Sequence, residues 1–304
     1  MARIISIGEA MVELSAAEQP DLWRLGVAGD TLNTAWYMRR LLPRDWQIDY
    51  LTRVGQGEFS QKLLDFLSAE GIGTDHILRD AEREIGLYAI SLKDGERSFA
   101  YWRSASAARK LADDAALLTQ ALDGCKLAYL SGITLAILSP ESRQTLMGAL
   151  DDARAAGTTV VFDPNLRPRL WPDQATMCQA IEAAAAHSDL IMPSYDDESV
   201  HFGDADAQAT IARYLDAGAK HVVVKNGGGP MAFAGAQGNG DLPDLRPETP
   251  IDTTAAGDSF NAGYLSAWLT GADCHASILA GHALSRQVIM HRGALVPAAV
   301  DALT

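Results

Sequence analysis

Residues 252–258 read DTTAAGD, and a helical pattern, SFNAGYLSAWL, follows them directly. In this stretch, small residues directly precede and enter the first turn of a predicted amphipathic helix. Because the first N–H groups of a helix lack intrahelical partners and carry partial positive charge, the helix start favours an anion. Small side chains let a phosphate approach the backbone. A carboxylate at Asp258 would repel that phosphate unless it took a proton from an attacking hydroxyl, although a plain capped turn also fits this stretch alone.

Short apolar runs alternate with helix-like segments along the rest of the chain. The predicted strands are 3–8, 126–132, 159–164, 189–194 and 221–226. The predicted helices are 32–42, 58–70, 113–122, 140–156, 173–187, 206–217, 257–270 and 273–290. Apolar strands between amphipathic helices predict an α/β fold, with a mostly parallel central sheet sandwiched by helices.

Length, charge and cysteine usage narrow the class of protein. The 304 residues fit one large α/β domain, with or without a small appendage, or two modest domains. The formal net charge of −14 argues against nucleic-acid binding. Three widely spaced cysteines, Cys125, Cys178 and Cys274, are typical of a reducing compartment. The sequence shows neither a signal-peptide pattern nor an apolar run near the ~20 residues of a membrane span. We therefore expect a cytoplasmic protein that has neither a membrane nor a nucleic-acid partner.

The segment 86–103, GLYAISLKDGERSFAYWR, interrupts the alternation of strands and helices. The pair Asp94-Gly95 between two extended stretches predicts a β-hairpin with a two-residue turn. In the implied register, Lys93 pairs with Glu96. A small antiparallel unit beside the parallel sheet follows from this hairpin.

One face of the predicted hairpin carries aromatic and basic side chains. By two-residue alternation, Phe99, Tyr101 and Arg103 share a face, and Tyr88 joins them as the partner of Tyr101. Taken alone, this pattern favours a half-buried hairpin with aromatic cross-strand pairs over a ligand site.

Two further loops place polar residues where ligands bind. AGDTLNTAWYMRRL starts a helix with Asp30 and Asn33 near its first turn, and a capped helix without ligand explains the same residues. FDPNLRPRLW follows a strand directly, at the strand end where open α/β sheets bind ligands, so Asn165 and Arg167 are well placed. Two prolines stiffen that loop, although an ordinary surface arginine remains the alternative.

A glycine-rich turn follows the strand that ends near residue 226. VVVKNGGGPMAF, at 222–233, could approach a nucleotide through backbone groups, with Lys225 facing its phosphates. A plain hairpin and a solvated lysine explain the turn equally. The chain has neither the GxxxxGK[ST] of a P-loop nor a Rossmann glycine fingerprint after its first strand.

DTTAAGD resembles the DTxGAGD signature of the PfkB, or ribokinase-like, carbohydrate kinases. The resemblance implies that Asp258 is the catalytic base and that the amides of Ala255, Ala256 and Gly257 form an anion hole. Ala255 departs from the usual glycine of the family, which puts the loop geometry in question but not the chemistry.

The resemblance extends over nearly the whole chain and implies the other site residues. A GGxxxN-like element at 28–33, DPNxR at 163–167 and an NxxE-like element at 194–197 match the family, the last with Ser194 and Asp197 as departures. The implied substrate contacts are Gly29, Asp30, Asn33, Tyr88, Tyr101, Arg103, Asn165, Arg167 and Asp258. The implied nucleotide contacts are Ser194, Lys225, Asn226, Gly227, Gly228, Gly229, Ala255, Ala256 and Gly257. Arg292-Gly293-Ala294 is expected to close the site near Asp258.

The resemblance also implies cofactors and architecture. It implies ATP and Mg²⁺, with Asp197 acting on the metal through water, and it leaves room for a monovalent cation. It further implies a single ribokinase-like domain over 1–304, whose small β lid is formed by insertions at about 9–28 and 85–104. We expect a homo-oligomer, because exposed lid strand edges invite pairing.

Within the family, the stretches GDTLNTAWY, GLYAI, AYWR, YLSGITLAILSP and FDPNLRPRLW are most similar to kinases of a sugar acid. The implied reaction is phosphorylation of the C6 hydroxyl of 2-keto-3-deoxygluconate. A carboxylate on the substrate calls for arginine, which donates two parallel hydrogen bonds, and Arg103 and Arg167 are the candidates. A kinase of neutral fructose or ribose and a non-catalytic sugar-binding protein remain the alternatives.

Overall fold

A computed structural model describes residues 2–17, 19, 21–93, 96–243, 245 and 248–303, with the backbone alone at positions 92, 93, 96 and 97. Its strands are β1 (Arg3–Ile7), β2 (Met11–Ala16), β3 (Trp23–Ala28), β4 (Gln47–Val54), β5 (Ile77–Arg79), β6 (Gly86–Lys93), β7 (Glu96–Trp102), β8 (Leu127–Ser131), β9 (Thr159–Asp163), β10 (Leu190–Ile191), β11 (His221–Val224), β12 (Met231–Gly235) and β13 (Gly240–Leu242). Its α-helices are α1 (Asp30–Leu41), α2 (Glu58–Ala69), α3 (Ala115–Leu122), α4 (Gly132–Ile137), α5 (Pro140–Ala155), α6 (Gln174–Ala186), α7 (Tyr195–His201), α8 (Ala207–Asp216), α9 (Ala256–Leu269), α10 (Cys274–Val288) and α11 (Pro297–Asp301). Short 3-10 helices cover Ala107–Lys110 and Pro168–Leu170. None of the helices in this part of the chain is long and apolar enough to cross a membrane.

The larger sheet of the described chain has nine strands in the order β13-β12-β11-β10-β9-β8-β1-β4-β5. Neighbouring strands run parallel from β11 to β5, whereas β12 and β13 extend the sheet in antiparallel fashion. Ile4 and Ile5 are both fully buried in β1 yet belong to different apolar clusters. Helices therefore cover both faces, which explains why the strands read as continuous apolar runs. The predicted α/β fold is confirmed.

Each predicted strand overlaps a strand of this sheet, but β4 does not follow from the apolar pattern. The cause is Asp49, which interrupts that pattern and yet is only 1% exposed. Arg3 Nη1 donates to its Oδ2 at 3.3 Å, and Gln47 Nε2 donates to its Oδ1 at 2.9 Å. A buried charge whose charged partner, Arg3, lies 46 positions away cannot be recognised from periodicity.

Close packing of α9 on α10 sets the position of the helix that begins in the DTTAAGD stretch. A Cβ on Gly263 would lie 2.9 Å from the carbonyl oxygen of Ala280, and one on Gly281 would lie 2.6 Å from that of Phe260. Only glycine allows this approach of the two backbones. The packing holds the first turn of α9 at the strand ends of the sheet.

The smaller sheet has four strands in the order β3-β2-β6-β7. The pairs β2–β3 and β6–β7 are antiparallel, and the central pair β2–β6 is parallel. The β6–β7 register pairs Lys93 with Glu96 and Tyr88 with Tyr101, as predicted. The predicted turn residues Asp94 and Gly95 lie outside the described residues.

Candidate active site

A cleft of about 530 Å³ lies between the small sheet and the ends of the parallel strands. Asp163 ends β9, while Ser194 and Lys225 follow β10 and β11, and all three line the cleft. This is the edge at which open α/β sheets bind ligands. The predicted site residues that line it are Gly29, Asp30, Asn33, Tyr88, Tyr101, Arg103, Asn165, Arg167, Ser194, Asp197, Lys225, Gly227, Gly228, Ala255, Ala256, Gly257 and Asp258.

Asp258 lies in the first turn of α9 and is held by α1. Asn33 Nδ2 donates to Asp258 Oδ2 at 2.8 Å, and Thr34 Oγ1 donates to the Asp258 carbonyl oxygen at 3.2 Å. Burial at the base of the cleft and, next, the Asp30 carboxylate raise the pKa of Asp258 to about 8, while the hydrogen bond from Asn33 lowers it. A carboxyl group with such a pKa is suited to accept a proton near neutral pH.

The loop before α9 is braced by Asp252. Thr254 N donates to Asp252 Oδ1 at 3.0 Å, and Gly293 N donates to Asp252 Oδ2 at 2.7 Å. Ala294 lines the cleft, so the segment predicted to close the site does lie beside it. Ala256 N donates to the Thr253 carbonyl at 3.2 Å. The amide of Ala256, a predicted member of the anion hole, therefore already donates a hydrogen bond within the loop. Its role in binding an anion stays a prediction.

Ala255, the residue that departs from the family signature, adopts a left-handed backbone conformation. Its φ is 59°, and it precedes the first residue of α9. Glycine reaches this region without penalty, whereas an L-residue with a Cβ loses roughly 1–2 kcal/mol there. The usual glycine of the family therefore matches the observed geometry, and alanine, the smallest residue with a Cβ, keeps it at a modest cost.

The start of α1 is tied to the loop after β9. Asn165 Nδ2 donates to Asp30 Oδ2 at 2.8 Å, and Asn165 itself has a positive φ of 36°. Gly29 precedes α1, and a Cβ on it would lie 2.3 Å from the carbonyl oxygen of Glu9. The structure thus joins Asp30 to Asn165, two predicted substrate contacts that lie 135 positions apart, and places them next to Gly29.

A buried polar network lies behind this group. Lys225 Nζ donates to Asp163 Oδ2 at 3.2 Å and to Asn261 Oδ1 at 3.1 Å. Asn261 Nδ2 donates in turn to Asp163 Oδ2 at 2.7 Å and to the Tyr129 hydroxyl at 2.9 Å. Lys225 is only 7% exposed, so the alternative of a solvated lysine does not hold. Asn261 and Tyr129 were not among the predicted site residues, although Asn261 lies three residues after Asp258 on α9, a spacing that points to the same helix face.

Arg103 and Arg167, the two candidates for binding a substrate carboxylate, differ in their surroundings. Arg103 Nη2 donates to Glu9 Oε2, and Glu9 is 1% exposed. The Arg167 side chain is 52% exposed, and its Nη1 lies 3.8 Å from Asp197 Oδ2. Burial raises the pKa of Asp197, and Arg167 opposes that shift. Arg167 therefore offers the less neutralised guanidinium to an anionic ligand.

Aromatic rings of the hairpin form the wall of the cleft opposite the large sheet. The Tyr88 and Tyr101 ring centroids lie 5.8 Å apart, and those of Phe99 and Tyr101 lie 6.2 Å apart. These three rings share the predicted face. The Tyr88 hydroxyl donates to Glu13 Oε2, a residue that the sequence does not single out. The hairpin thus presents ring faces to a ligand, while one of its phenols is held within the small sheet.

Asn226 and Gly229 lie outside the cleft lining. Asn226 Nδ2 donates to the Pro230 carbonyl at 2.9 Å, and a Cβ on Gly229 would lie 3.0 Å from that amide nitrogen. The Asn226 side chain therefore closes the turn instead of facing the cleft, and this geometry does not favour direct nucleotide contact by either residue. Gly227 and Gly228, with φ of 48° and 90°, do line the cleft.

The end of the cleft beside α10 contains side chains that the sequence analysis does not identify. His282, Ser285 and Arg286 line it from α10, and Glu248 lines it from the segment that precedes α9. Arg286 Nη2 donates to Glu248 Oε1, and Ser285 Oγ donates to the Ala256 carbonyl at 3.0 Å. An amphipathic helix pattern marks α10 but does not show which of its polar residues meet a ligand.

Comparison with known proteins agrees with this geometry. The model of the pfkB family carbohydrate kinases matches residues 1–300. The 2-dehydro-3-deoxygluconokinase of Escherichia coli strain K12 is 40% identical over 303 residues, covering 97% of this chain and 97% of that protein. The protein of the same name from Dickeya dadantii strain 3937 is 39% identical, covering 97% of this chain and 96% of its own. The crystal structure of a PfkB protein from Polaromonas sp. JS666 superposes with a TM-score of 0.83 at 28% identity, covering 99% of this chain and 100% of that one. This chain belongs to the pfkB family of carbohydrate kinases.

Proposed function

We propose that this protein is an ATP-dependent kinase of 2-keto-3-deoxy-D-gluconate, also called 2-dehydro-3-deoxygluconate. It transfers the γ-phosphoryl group of ATP to the C6 hydroxyl and yields 2-keto-3-deoxy-6-phosphogluconate. The observation that carries the proposal is the carboxylate of Asp258 at the start of α9, in one cleft with the exposed guanidinium of Arg167. The names of the relatives at 39–40% identity support the same substrate.

In the proposed mechanism, Asp258 accepts the proton of the C6 hydroxyl as its oxygen approaches the γ-phosphorus. Asn33 fixes the carboxylate by its hydrogen bond to Oδ2, so the acceptor is oriented before the substrate arrives. Backbone N–H groups at the start of α9 stabilise charge that builds on the transferred phosphoryl group. Lys225, whose Nζ also donates to Asn261 of α9, adds a cation beside Gly257 that is held in place by Asp163.

The residues present fit Mg²⁺ bound together with ATP. No group of three His, Cys, Asp or Glu side chains within the described residues could hold a metal ion alone. Phosphoryl-transfer sites do not need such a group, because Mg²⁺ keeps several waters and binds substrate phosphates with one or two carboxylates. Asp197 and Ser194 line the cleft, and Asp197 would hold the ion through water. Bound Mg²⁺ would supply charge neutralisation on the phosphates.

We propose that the chain is one kinase domain and that the small sheet, built from 9–28 and 85–104, is its lid. Its Tyr88, Phe99 and Tyr101 rings face the cleft, so closure would cover the sugar acid and exclude water, which limits wasteful ATP hydrolysis. Because ATP is the proposed donor, the enzyme would work in the cytoplasm, where its cysteines stay reduced. A monovalent-cation requirement stays a prediction that replacing K⁺ with tetramethylammonium tests.

Release of ADP with ATP and Mg²⁺ present tests the proposed substrate. We expect kcat/KM for 2-keto-3-deoxygluconate to exceed that for fructose or ribose by at least about tenfold, since a charged hydrogen bond contributes ~1.5–3 kcal/mol. Preferred turnover of a neutral sugar would be consistent with kinase activity and with Asp258 as the base, but it would reject the sugar acid as the substrate. Absence of any sugar-dependent ADP would favour a binding protein on the same fold.

The raised pKa of Asp258 predicts how activity depends on pH. Because the base must be ionised, kcat/KM should fall about tenfold for each pH unit below about pH 8. The pH at which this fall begins, the acidic limb of the profile, reports the pKa of Asp258 in the free enzyme. Asp30→Asn removes the charge that contributes most to the shift after burial, so it should move the limb to lower pH. A kcat/KM profile measured from pH 5 to 9 checks both expectations. A wild-type kcat/KM that does not fall between pH 8 and pH 5 would contradict a base with this raised pKa.

The outer face of the small sheet supports the proposed homo-oligomer. Trp23, Leu25 and Trp102 are 47%, 39% and 61% exposed, and the strand registers place them on one face, away from the cleft. Such a patch favours a partner surface, and we propose that the outer faces of two lids pack together. The variant Leu25→Ser/Trp102→Ser should sediment as a monomer where the wild type sediments as a dimer. Val200→Ser, at a residue 71% exposed on α7, is the matched control and should leave the dimer intact. A monomeric wild type at micromolar concentration would refute the proposal.

A further inference from the structure

Glu9 lies where the chain passes between the large sheet and the small sheet. The chain makes four such passages, at 8–10 after β1, at Gly29 after β3, at Gly86 where β6 begins and at Arg103 after β7. Glu9 meets the other three. A Cβ on Gly29 would lie 2.3 Å from the Glu9 carbonyl oxygen, and one on Gly86 would lie 2.9 Å from Glu9 Oε1. Arg103 Nη2 donates to Glu9 Oε2.

Stability alone does not account for this ion pair. Glu9 is 1% exposed, and the Arg103 side chain is 10% exposed. Removing both charges from water is expensive, and the attraction between them often fails to repay that penalty. Among the described residues, Glu9 Oε1 and Arg103 Nε have no hydrogen-bond partner. The pair therefore bears the penalty of burial without the full set of bonds that would offset it.

A second buried Glu–Arg pair in the same chain shows the contrast. Glu198 is 0% exposed, and both of its carboxylate oxygens are satisfied. Arg213 Nη2 donates to Oε2 at 2.7 Å, and the Tyr214 hydroxyl donates to Oε1 at 3.0 Å. That pair joins α7 to α8, and its carboxylate is fully bonded although Arg213 Nη1 has no hydrogen-bond partner among the described residues. The Glu9–Arg103 pair, in contrast, lies beside the cleft and has a carboxylate oxygen, Glu9 Oε1, that is unpaired within the described chain.

We propose that Glu9 is a positioning residue: it holds Arg103 at the junction of the two sheets, so that the guanidinium meets the carboxylate of the sugar acid as the lid closes. This inference rests on the proposed function, because it assigns Arg103 a charged group on the substrate. Glu9 lies on the large-sheet side of the junction and holds the guanidinium there. Arg103 is the residue at which the hairpin leaves the small sheet. Substrate binding and lid position are thereby coupled through one guanidinium.

The test is the variant Glu9→Gln, which keeps the shape of the side chain and removes its charge. Without its charge-assisted hydrogen bond, Arg103 must be ordered by the substrate, so KM for 2-keto-3-deoxygluconate should rise about 3–10-fold. The kcat at saturation and the KM for ATP should stay within about twofold. An unchanged sugar-acid KM would overturn the proposal, and a lowered one would show that Glu9 only competes for Arg103.

A double-mutant cycle separates positioning from a merely structural role. In an Arg103→Met background, Glu9→Gln should raise the sugar-acid KM no further, whereas independent effects would multiply and contradict the coupling. Glu198→Gln is the matched control. It removes a buried glutamate charge of the same kind, so it should lower the melting temperature and leave the sugar-acid KM unchanged. Wild-type turnover of the sugar acid is measured first, so failure of the proposed function is seen separately from failure of this inference.

Discussion

Replacing Asp258 with Asn is expected to lower kcat by about 10²–10⁴-fold, the usual contribution of a positioned general base. Asn is nearly isosteric, and its side-chain oxygen can still accept the hydrogen bond that Asn33 donates at 2.8 Å. The site therefore keeps its shape and loses only the group that takes the proton. Initial rates of ADP release at saturating ATP and sugar acid measure the effect. A variant that retains turnover within about tenfold of the wild type would show that Asp258 is not the base.

Stability of the same variant distinguishes lost chemistry from lost folding. The pKa of Asp258 is raised in the folded protein, so its contribution to stability is fully present below about pH 4 and is lost as pH rises through about 8. Asn carries no charge and escapes that loss. Unliganded Asp258→Asn should therefore unfold at a higher temperature than the wild type at pH 8, and the difference should disappear near pH 4. Lower stability at pH 8 would mean that the carboxylate supports the fold.

The sequence predicts those parts of the site that local patterns encode. DTTAAGD implies a helix start with a carboxylate, and α9 indeed begins at Ala256 with Asp258 in its first turn. The register of the hairpin also follows from the two-residue alternation of its side chains and from the predicted turn pair Asp94-Gly95. In both cases the interactions that decide the structure lie within about twenty residues, where spacing and turn chemistry are visible.

Contacts between distant segments explain what the sequence does not reveal. Glu9 meets Arg103 across 94 positions, and Asn261 meets Asp163 across 98. Each of these residues lies at a strand end or on a helix face that is equally compatible with an exposed side chain. Only the tertiary fold brings them together: the small sheet returns the chain to Glu9 at Arg103, and α9 carries Asn261 to the end of β9. The pKa of Asp258 depends on the same assembly, because Asp30 and Asp163 approach it from other segments.

Sheet topology also bears on how the two arginines would divide the proposed recognition of the substrate. Arg103 belongs to the hairpin and already has a carboxylate partner in Glu9, so a ligand must share it. Arg167 follows β9 on the large sheet, with its Nη1 donating to the Leu166 carbonyl at 2.6 Å and otherwise facing the cleft. An exposed guanidinium on the rigid sheet is the stronger candidate for capturing the carboxylate before the lid closes.

Arg167→Ala is therefore expected to raise KM for 2-keto-3-deoxygluconate by about 10–100-fold, which corresponds to loss of a charged hydrogen bond of ~1.5–3 kcal/mol. The KM for ATP should change far less, because the proposed partner of Arg167 is the carboxylate of the sugar acid. Arg169→Ala is the matched control: Arg169 lies in the 3-10 helix Pro168–Leu170, which Arg167 directly precedes, and is exposed outside the cleft lining. Steady-state kinetics with each substrate varied in turn measures all three enzymes. Equal effects of the two variants would point to nonspecific electrostatics. An unchanged sugar-acid KM in Arg167→Ala would show that Arg167 does not bind the substrate, and Arg103 would remain the candidate that binds the carboxylate.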